Sequence, residues 1–419
     1  MNLWIVNHYA IPPSLGGLNR HYYFSKYLRG EKVNTRIFSS SKIHNSHVNF
    51  NTGDLYNEEN IDGVDYTFIK TSGYKGNGLK RIFSFLQFSY NCLKTMRILI
   101  KGERPDIIYA SSPELFSTAV ALEFGLRNDI PTVVEIRDLW PESVVEYTRL
   151  TRKNPIIRIL YRLERWIYEK ADLIVFTFEG GPDYIRMKNW DKESGGNIDL
   201  EKCRYINNGV EVDKFDQYAK EFTIEDSDLQ SDKFKVVYTG SIRKVNSIGL
   251  LVDAAKILTD DGIDDISIIV FGDGTEKEAL IERCKNLNLN NIVFKDRVDK
   301  KYIPYILSRA NMNIFVGQDD AMNKYGLSLN KLFDYMASGK PILSNIESGY
   351  DNIKKYECGI IVHSNSAKSI AEGILKIKTS SKASYDYMCN QSKKAAEDFD
   401  YNKLSGKLYN ILNELKGVH

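Results

Sequence analysis

Short apolar runs alternate with longer amphipathic segments along the first half of the chain. Residues 3–6 form such a run, and residues 19–28 follow it with apolar positions at helical spacing. This alternation is typical of parallel βαβ units and predicts an α/β fold. The predicted strands of this half are residues 3–6, 35–39, 66–70, 106–111, 132–137 and 171–177.

The pattern restarts in the second half, after a turn-rich joint at residues 207–213 and a polar, acidic stretch at residues 216–233. Two such series predict two doubly wound parallel sheets, with the boundary between about residues 202 and 234. In such sheets ligands collect outside the carboxyl ends of the strands. The predicted strands of this half are residues 235–240, 266–271, 292–294, 312–316, 342–344 and 359–362, and residues 385–416 are predicted to be helical.

Residues 325–341 carry the most informative local pattern. A polar turn leads into a short amphipathic helix at residues 330–338, which is predicted to end at Gly339 before the next strand. Lys331 and Asp334 are three apart and share the face opposite the apolar one. A helix start with free N–H groups and a lysine suits a phosphate, and an aspartate one turn on suits sugar hydroxyls. The alternative is an ordinary helix with a solvated Lys–Asp pair.

This order of turn, lysine, helix with a central acid, Ser338-Gly-Lys-Pro341 and strand resembles a known family. It is similar to the nucleotide-sugar site of family-four retaining glycosyltransferases of the GT-B type, in the branch that builds bacterial capsules and O-antigens. The resemblance implies two Rossmann-like domains facing across a cleft. It also implies that the helix holds the phosphates and ribose of the donor. The donor contacts implied here are Ser328, Leu329, Asn330, Lys331 and Asp334.

The sequence departs from the family pattern at one position. Many members carry two glutamates flanking seven residues, and Asp334 matches the second while Gly326 stands at the first. The donor-sugar contact of the first glutamate is therefore unplaced. The resemblance implies an acceptor-binding domain at residues 1–205 and a donor-binding domain at residues 206–385. It also implies that a C-terminal helix at residues 386–419 crosses back to the first domain.

Four loops supply further donor candidates. Gly240 follows a strand and lets the backbone approach a ligand, while Arg243 and Lys244 can reach diphosphate oxygens. The alternative for this stretch is a basic surface loop. The resemblance implies further donor contacts at Gly272 and Gly274 beside the base and at Arg297 and Val298 at the base edge, and Gly16 and Gly17 are expected to let the first loop close over the phosphates.

The acceptor side is predicted at two neighbouring strand ends of the first half. Asp138 lies in the motif at residues 137–143, which resembles a loop of amino-sugar transferases, and it is the first choice for the reacting centre. Glu114 is the second choice. The alternative is a structural ion pair between Arg137 and Asp138, with Trp140 in the core. With Arg243 and Lys331 as an electrostatic clamp on the leaving phosphate, these residues form the predicted catalytic set.

Composition excludes several classes of protein. The 419 residues suffice for two domains, and a net charge of +2 does not suggest a nucleic-acid partner. Five scattered cysteines without a C-x-x-C pair indicate neither a disulfide framework nor a zinc site, and favour the cytoplasm. We expect no signal peptide, no spanning segment, no cofactor and no bound metal. The acidic pairs at 260–261 and 264–265 are taken as solvated, and the pair at 319–320 as a possible sugar contact.

Basic and aromatic residues concentrate in two helical segments, residues 75–101 and 149–166. This composition suits an anionic membrane surface, although core apolar residues with solvated charges would give the same pattern. Together with this composition, the resemblance implies an enzyme at the inner face of a bacterial membrane that transfers a hexose or N-acetylamino sugar from a nucleotide diphosphate, UDP above all, to a lipid-linked saccharide. The alternatives are an epimerase or sugar-phosphate synthase of this fold, or an inactive scaffold. The chain contains no Ser-His-Asp order or nucleophile elbow that would support a hydrolase.

Overall fold

The computed structural model describes residues 1–16, 19–43, 48–50, 53–73, 78–112, 114–148, 150–318, 320–363 and 365–418. The chain forms two compact units. The first comprises Met1–Asn207 with Tyr401–His419, and the second comprises Asn208–Asp400.

The first unit is built on a sheet of eight strands. The strands lie in the order β3-β4-β2-β1-β5-β6-β7-β8, and all pairs are parallel except β3 with β4. The chain leaves β1 toward β2 on one side and returns to β5 on the other, so a topological switch point lies between β1 and β5. The strands are β1 (Asn2–Val6), β2 (Asn34–Ser40), β3 (Tyr56–Ile61), β4 (Val64–Ile69), β5 (Ile107–Ser111), β6 (Thr132–Ile136), β7 (Leu173–Phe176) and β8 (Cys203–Tyr205).

The second unit is built on a parallel sheet of six strands in the order β11-β10-β9-β12-β13-β14. Its switch point lies between β9 and β12. Alternate residues of each strand enter two separate cores, as Val236 and Val237 of β9 do, so the strands are buried on both faces. The strands are β9 (Phe234–Thr239), β10 (Ile266–Phe271), β11 (Ile292–Lys295), β12 (Met312–Phe315), β13 (Ile342–Ser344) and β14 (Gly359–Ile361).

Helices connect the strands in both units. Those of the first unit are α1 (Arg20–Leu28), α2 (Leu79–Leu99), α3 (Leu115–Arg127), α4 (Glu142–Tyr147), α5 (Pro155–Lys170) and α6 (Gly181–Met187). Those of the second are α7 (Val212–Glu221), α8 (Ser227–Gln230), α9 (Gly249–Asp260), α10 (Lys277–Asn286), α11 (Ile303–Arg309), α12 (Asn330–Ala337), α13 (Asn352–Tyr356), α14 (Ala367–Lys378) and α15 (Lys382–Asp398). The last helix, α16, spans Tyr401–Val418.

The helical tail divides between the two units. Leu404, Leu408 and Leu412 of α16 enter the core of the first unit, where the helix packs against α1. In contrast, α15 packs against α12 in the second unit, and Phe399 belongs to a core of that unit. The return to the first unit thus begins at residue 401, and the expectation that it begins at residue 386 is corrected. The first crossing falls between Asn207 and Asn208, two residues beyond the expected boundary.

Candidate active site

The switch point of the second unit brings Gly240 and Lys331 together. Gly240 directly follows the strand β9 and has a φ of 153°, in a region that favours glycine. A Cβ added there would lie 2.9 Å from Tyr238 Oη and 3.4 Å from Lys331 Nζ. A larger residue would occupy the space beside the ammonium group, so glycine keeps this space open.

Lys331 carries a positive charge that no carboxylate neutralises within the described part of the chain. Its Nζ donates a hydrogen bond to Tyr238 Oη at 3.2 Å and lies 4.6 Å from the centre of the same ring. The side chain is half-buried, and burial lowers the pKa of the ammonium to about 8. Lys331 is thus paired with a tyrosine and not with Asp334, which argues against the solvated Lys–Asp pair.

The start of α12 provides backbone N–H groups in addition to the ammonium group of Lys331. Leu329 precedes the helix without a side-chain cap, and the first turn contains no acidic residue. Tyr335 holds the helix against the end of β9, because its Oη accepts from Thr239 N at 2.9 Å. The N–H end of a helix and an adjacent lysine together suit an anion.

Asp334 lies one helical turn beyond Lys331 and is also half-buried. Burial raises the pKa of its carboxyl, and the charge of Lys300 opposes the rise. The carboxylate makes no hydrogen bond or ion pair with another described residue. It is therefore available to accept hydrogen bonds from ligand hydroxyl groups.

The turn before α12 is tied to the beginning of the unit. The carbonyl of Ser328 accepts from Asn208 Nδ2 at 2.9 Å, and Ser328 Oγ is buried without a partner among the described residues. Asn330 is exposed at the first position of the helix. Gly326, which stands at the position of the family's first glutamate, has a φ of 112° and a ψ of 169°. This conformation is essentially restricted to glycine, so a glutamate could not simply replace it.

Gly272 and Gly274 serve the packing of two loops. A Cβ on Gly272 would lie 1.8 Å from the carbonyl oxygen of Gly240, and one on Gly274 would lie 2.1 Å from that of Ile242. These contacts require glycine at both positions and press the loop after β10 against the loop after β9. The expected role of both glycines beside a base stays a prediction.

The remaining donor candidates of the second unit lie at the surface. Arg243 and Lys244 are exposed just beyond Gly240, and their side chains form no ion pair with a described residue. Arg297 is exposed, whereas Val298 packs against a core of the unit. Long basic side chains at the surface can reorient to contact an anion. The expected contacts of these four residues with a donor stay predictions.

In the first unit Asp138 follows β6 and is open to solvent. Desolvation by the surrounding protein raises the pKa of its carboxyl, while the charges of Arg137 and Arg81 oppose the rise. No ion pair joins Arg137 and Asp138, which the structural alternative requires. Arg81 is held by Tyr9, whose Oη accepts from its Nε at 3.0 Å. Two guanidinium groups thus influence this carboxylate electrostatically.

Glu114 caps the helix α3. Its carboxylate accepts from Phe116 N at 2.6 Å and from both the amide and the hydroxyl of Ser117. Burial raises the pKa of this carboxyl to about 7, against the effect of these hydrogen bonds. The capping contacts give Glu114 a structural role, and the catalytic roles expected for Asp138 and Glu114 stay predictions. In the loop that follows β1, Gly16 comes after a short 3-10 turn and has a φ of 146°. Gly17 lies outside the described residues.

A buried charged network that was not predicted from the sequence lies at the other switch point. Glu135 of β6 accepts from Arg20 Nε at 2.7 Å, from Tyr109 Oη at 2.8 Å and from Ser111 Oγ at 2.6 Å, and it contacts His21 Nε2 at 3.0 Å. Arg20 also donates to the carbonyls of residues 206 and 207, where the first unit ends. A glutamate inside an otherwise apolar strand was the signal that could have revealed it.

Neither a metal-binding group of side chains nor a membrane-spanning helix is found among the described residues. They contain no group of three His, Cys, Asp or Glu side chains placed to hold a metal ion. No described helix is both long and apolar enough to span a bilayer. Asp319 of the acidic pair lies outside the described residues, and Asp320 caps the following 3-10 turn by accepting from Met322 N at 2.7 Å.

Two family profiles match separate parts of the chain. Residues 219–397 match "Glycosyl transferases group 1", and residues 54–194 match "Glycosyl transferase 4-like domain". With the two parallel-sheet units, these matches support a glycosyltransferase of the GT-B type.

Three curated relatives are about a quarter identical to this chain over the residues that align. An uncharacterised glycosyltransferase of Methanocaldococcus jannaschii is 25% identical over 57% of this chain and 57% of its own length. The capsular polysaccharide biosynthesis glycosyltransferase CapM of Staphylococcus aureus is 26% identical over 68% of this chain and 70% of its own. An enzyme of Campylobacter jejuni, named N-acetylgalactosamine-N,N'-diacetylbacillosaminyl-diphospho-undecaprenol 4-alpha-N-acetylgalactosaminyltransferase, is 24% identical over 77% of this chain and 80% of its own.

Solved structures share the fold. Sucrose-phosphate synthase from Thermosynechococcus elongatus superposes with a TM-score of 0.71 at 15% identity, covering all of both chains. HepE of Anabaena in complex with UDP gives a TM-score of 0.66 at 13% identity, covering 99% of this chain and 100% of that one.

Proposed function

We propose that the protein transfers a hexose or N-acetylamino sugar from a UDP-sugar to a lipid-linked saccharide during capsule or O-antigen assembly. The observation that carries the proposal is the half-buried ammonium of Lys331, without a carboxylate partner, beside Gly240 and the uncapped start of α12. This arrangement suits a diphosphate, because an ammonium charge lies at a helix start, where backbone N–H groups are directed toward an anion. Asp334 takes the ribose hydroxyls.

Relatives support the class of substrate. CapM is named for capsular polysaccharide biosynthesis, and the name of the Campylobacter enzyme gives a diphospho-undecaprenol acceptor and an N-acetylgalactosaminyl group. HepE binds UDP on the same fold. In this proposal the second unit binds the donor and the first unit binds the acceptor.

The proposed reaction retains the configuration of the transferred sugar. The bond between C1 of the sugar and the diphosphate oxygen breaks, and the acceptor oxygen forms the new bond to C1 on the same face. The acceptor's proton passes to the departing phosphate oxygen. Lys331 and Arg243 stabilise the charge that develops on the diphosphate, so no metal ion is required. Asp138 contacts the acceptor, with Arg81 and Arg137 nearby.

The surface of α2 and α5 supports attachment to an anionic membrane. Phe83 is 61% exposed and Ile156 is 63% exposed, and Ile82, Tyr90 and Ile159 are exposed as well. Lys80, Lys94, Arg97, Arg158 and Arg162 add positive charge to the same helices. Exposed apolar side chains among basic residues suit the interface of an anionic bilayer.

Part of the expected apolar surface is core. Phe85, Phe88, Ile157 and Leu160 are buried, as the alternative for these segments required. Lys75 and Arg149 lie outside the described residues. The proposed attachment therefore rests on the exposed apolar and basic residues of α2 and α5. As part of the same proposal, the protein lies in the cytoplasm at the inner face of the membrane.

The test is a product assay. The protein is incubated with single nucleotide sugars and with polyprenyl-diphosphate saccharides, and products are identified by mass spectrometry and the new anomeric centre by NMR. The proposal expects a saccharide longer by one residue, with the donor's anomeric configuration. An inverted product or transfer only to sugar phosphates would overturn it, and UDP binding without any product would indicate a scaffold.

Vesicle co-sedimentation tests the membrane attachment. The protein is expected to pellet with phosphatidylglycerol vesicles at low salt and to be released at high salt. Phe83→Asp and Lys80→Glu should weaken this binding, whereas Lys382→Glu, an exposed change in the second unit, should not. Protein that stays in the supernatant with anionic lipid in excess contradicts the attachment.

A further inference from the structure

A groove of about 600 Å³ crosses the surface of the first unit over α3, between α2 and α5. Ala119 and Val120 of α3 line it together with Leu93 of α2 and with Leu163 and Trp166 of α5. Its volume lies within the range of sites for small ligands, about 300–1,000 Å³. It belongs to the helical layer and not to the carboxyl ends of the strands.

The sequence of α3 explains why the groove exists. Gly125 lets this helix approach the sheet closely, because an added Cβ would lie 2.1 Å from Thr132 Oγ1. The residues that face outward between the neighbouring helices, Ala119 and Val120, are small. The longer helices α2 and α5 therefore form walls on either side of α3.

The groove is apolar inside and positive at one end. Arg97 and Lys101, in the last turns of α2 and just beyond it, line that end and are exposed. Neither forms an ion pair with a described residue. Arg127 also lines the groove, but its Nε is paired with Glu123 Oε1 at 2.6 Å. Two cations are thus available beside an apolar channel.

We propose that this groove binds one hydrocarbon chain of an anionic membrane phospholipid, whose phosphate contacts Arg97 and Lys101. An apolar channel with an unneutralised positive end matches a molecule with a hydrocarbon chain and an anionic head. The exposed apolar residues Phe83 and Ile156 lie on the same two walls, so the groove would face the bilayer. The inference rests on the membrane attachment in the proposed function and adds a lipid site to it.

Fluorescence quenching tests the site with a single-chain lipid. The probe is lysophosphatidylglycerol with a brominated chain, used below its micelle concentration, because bromine quenches only nearby indole rings. Trp166 lines the groove, so saturable quenching is expected in the wild type and is expected to decrease in Trp166→Phe. Residual quenching in that variant comes from Trp4, whose ring lies 6.2 Å from that of the groove residue Phe124. Quenching that does not saturate, or that is unchanged in Trp166→Phe, would overturn the site.

Variants separate the groove from general attraction to positive charge. Ala119→Phe fills the groove and should weaken binding of the probe by about tenfold or more. Arg97→Glu should weaken it by roughly tenfold, since one attraction becomes a repulsion. Lys170→Glu is the matched control, because this exposed lysine ends α5 but does not line the groove. Equal losses in Arg97→Glu and Lys170→Glu would overturn the contact between the phosphate and Arg97.

Other occupants give different results. A dimer that dissociates in Ala119→Phe during analytical ultracentrifugation would assign the groove to a second copy and overturn the lipid proposal. Equal affinity for brominated lysophosphatidylcholine would show that the head group is not recognised and would also overturn it. All variants should bind UDP as the wild type does. Failure of the proposed function would instead appear as loss of UDP binding or of transfer in the wild type.

Discussion

Lys331 Nζ and Tyr238 Oη lie 3.2 Å apart, and this contact joins the start of α12 to the strand β9, which ends just before Gly240. The tyrosine fixes the direction of the lysine without neutralising it. A carboxylate in the same place would compete with an anionic ligand for the ammonium group. The pair therefore positions a positive charge for a diphosphate at the switch point of the second sheet.

Asp334→Asn is expected to weaken UDP binding by about three- to tenfold, because a neutral amide accepts weaker hydrogen bonds from ribose hydroxyls than a carboxylate does. The fold should persist, since the carboxylate makes no hydrogen bond with another described residue. Calorimetric titration with UDP measures the change, and the melting temperature serves as the control. Equal affinity in the variant and the wild type would remove Asp334 from the site.

UDP affinity should fall as the pH rises above about 8. Burial lowers the pKa of Lys331 to about 8, so the free protein loses this charge at a pH where an ordinary lysine keeps it. The diphosphate favours the charged form, and binding must then take up a proton, at a cost of up to about tenfold in affinity per pH unit.

Lys331→Arg is the control for this pH dependence, because arginine stays charged throughout the range. The slope of affinity against pH should be flatter in this variant, and the comparison cancels the titration of UDP itself. The same slope in both proteins would show that another group is responsible.

Transfer activity is expected to survive an excess of EDTA. The proposed stabilisation of the leaving diphosphate comes from Lys331 and Arg243, and a hard cation would need several oxygen ligands that the described residues do not group together. Activity that is lost with EDTA and restored by Mn²⁺ would contradict both this expectation and the proposed mechanism.

Glu135→Gln is expected to lower the free energy of unfolding by about 3–5 kcal/mol, since it leaves the buried guanidinium of Arg20 without its counter-charge. Urea denaturation followed by circular dichroism measures the effect. Glu123→Gln is the matched control: its pair with Arg127 is exposed and should be worth less than about 1 kcal/mol. Similar losses in the two variants would contradict a stabilising role for the buried network.

The parallel strands could be predicted from the sequence because they are buried on both faces and read as apolar runs. Residues 266–271 were predicted with the observed ends, and both sheets follow from the repeated alternation. The strand β3 was missed because its polar sequence lies at the sheet edge, where burial sets no pattern. The positive φ angles of Asp62 and Gly63 form the turn to β4, and this Asp-Gly pair was an available hairpin signal.

The site was predictable only in part. The resemblance at residues 325–341 indicated Lys331 and Asp334, and a glycine at a strand end indicated Gly240. The partners of these residues could not be predicted, because Tyr238 and Tyr335 meet them through the order of strands in the sheet. The buried contacts of Arg20 with Glu135 likewise join residues more than a hundred positions apart in the chain.

UDP titration of Lys331→Ala tests directly whether Lys331 binds the diphosphate of the donor. Loss of a charge-assisted contact with the diphosphate should cost about 1.5–3 kcal/mol, which is a loss of at least about tenfold in affinity. Lys324→Ala is the matched control, because that lysine is exposed in the preceding 3-10 turn and its Nζ lies over the ring of Tyr325. We expect weak UDP binding in Lys331→Ala, wild-type binding in Lys324→Ala and unchanged melting temperatures in both. Wild-type affinity in Lys331→Ala would contradict a contact between Lys331 and the diphosphate.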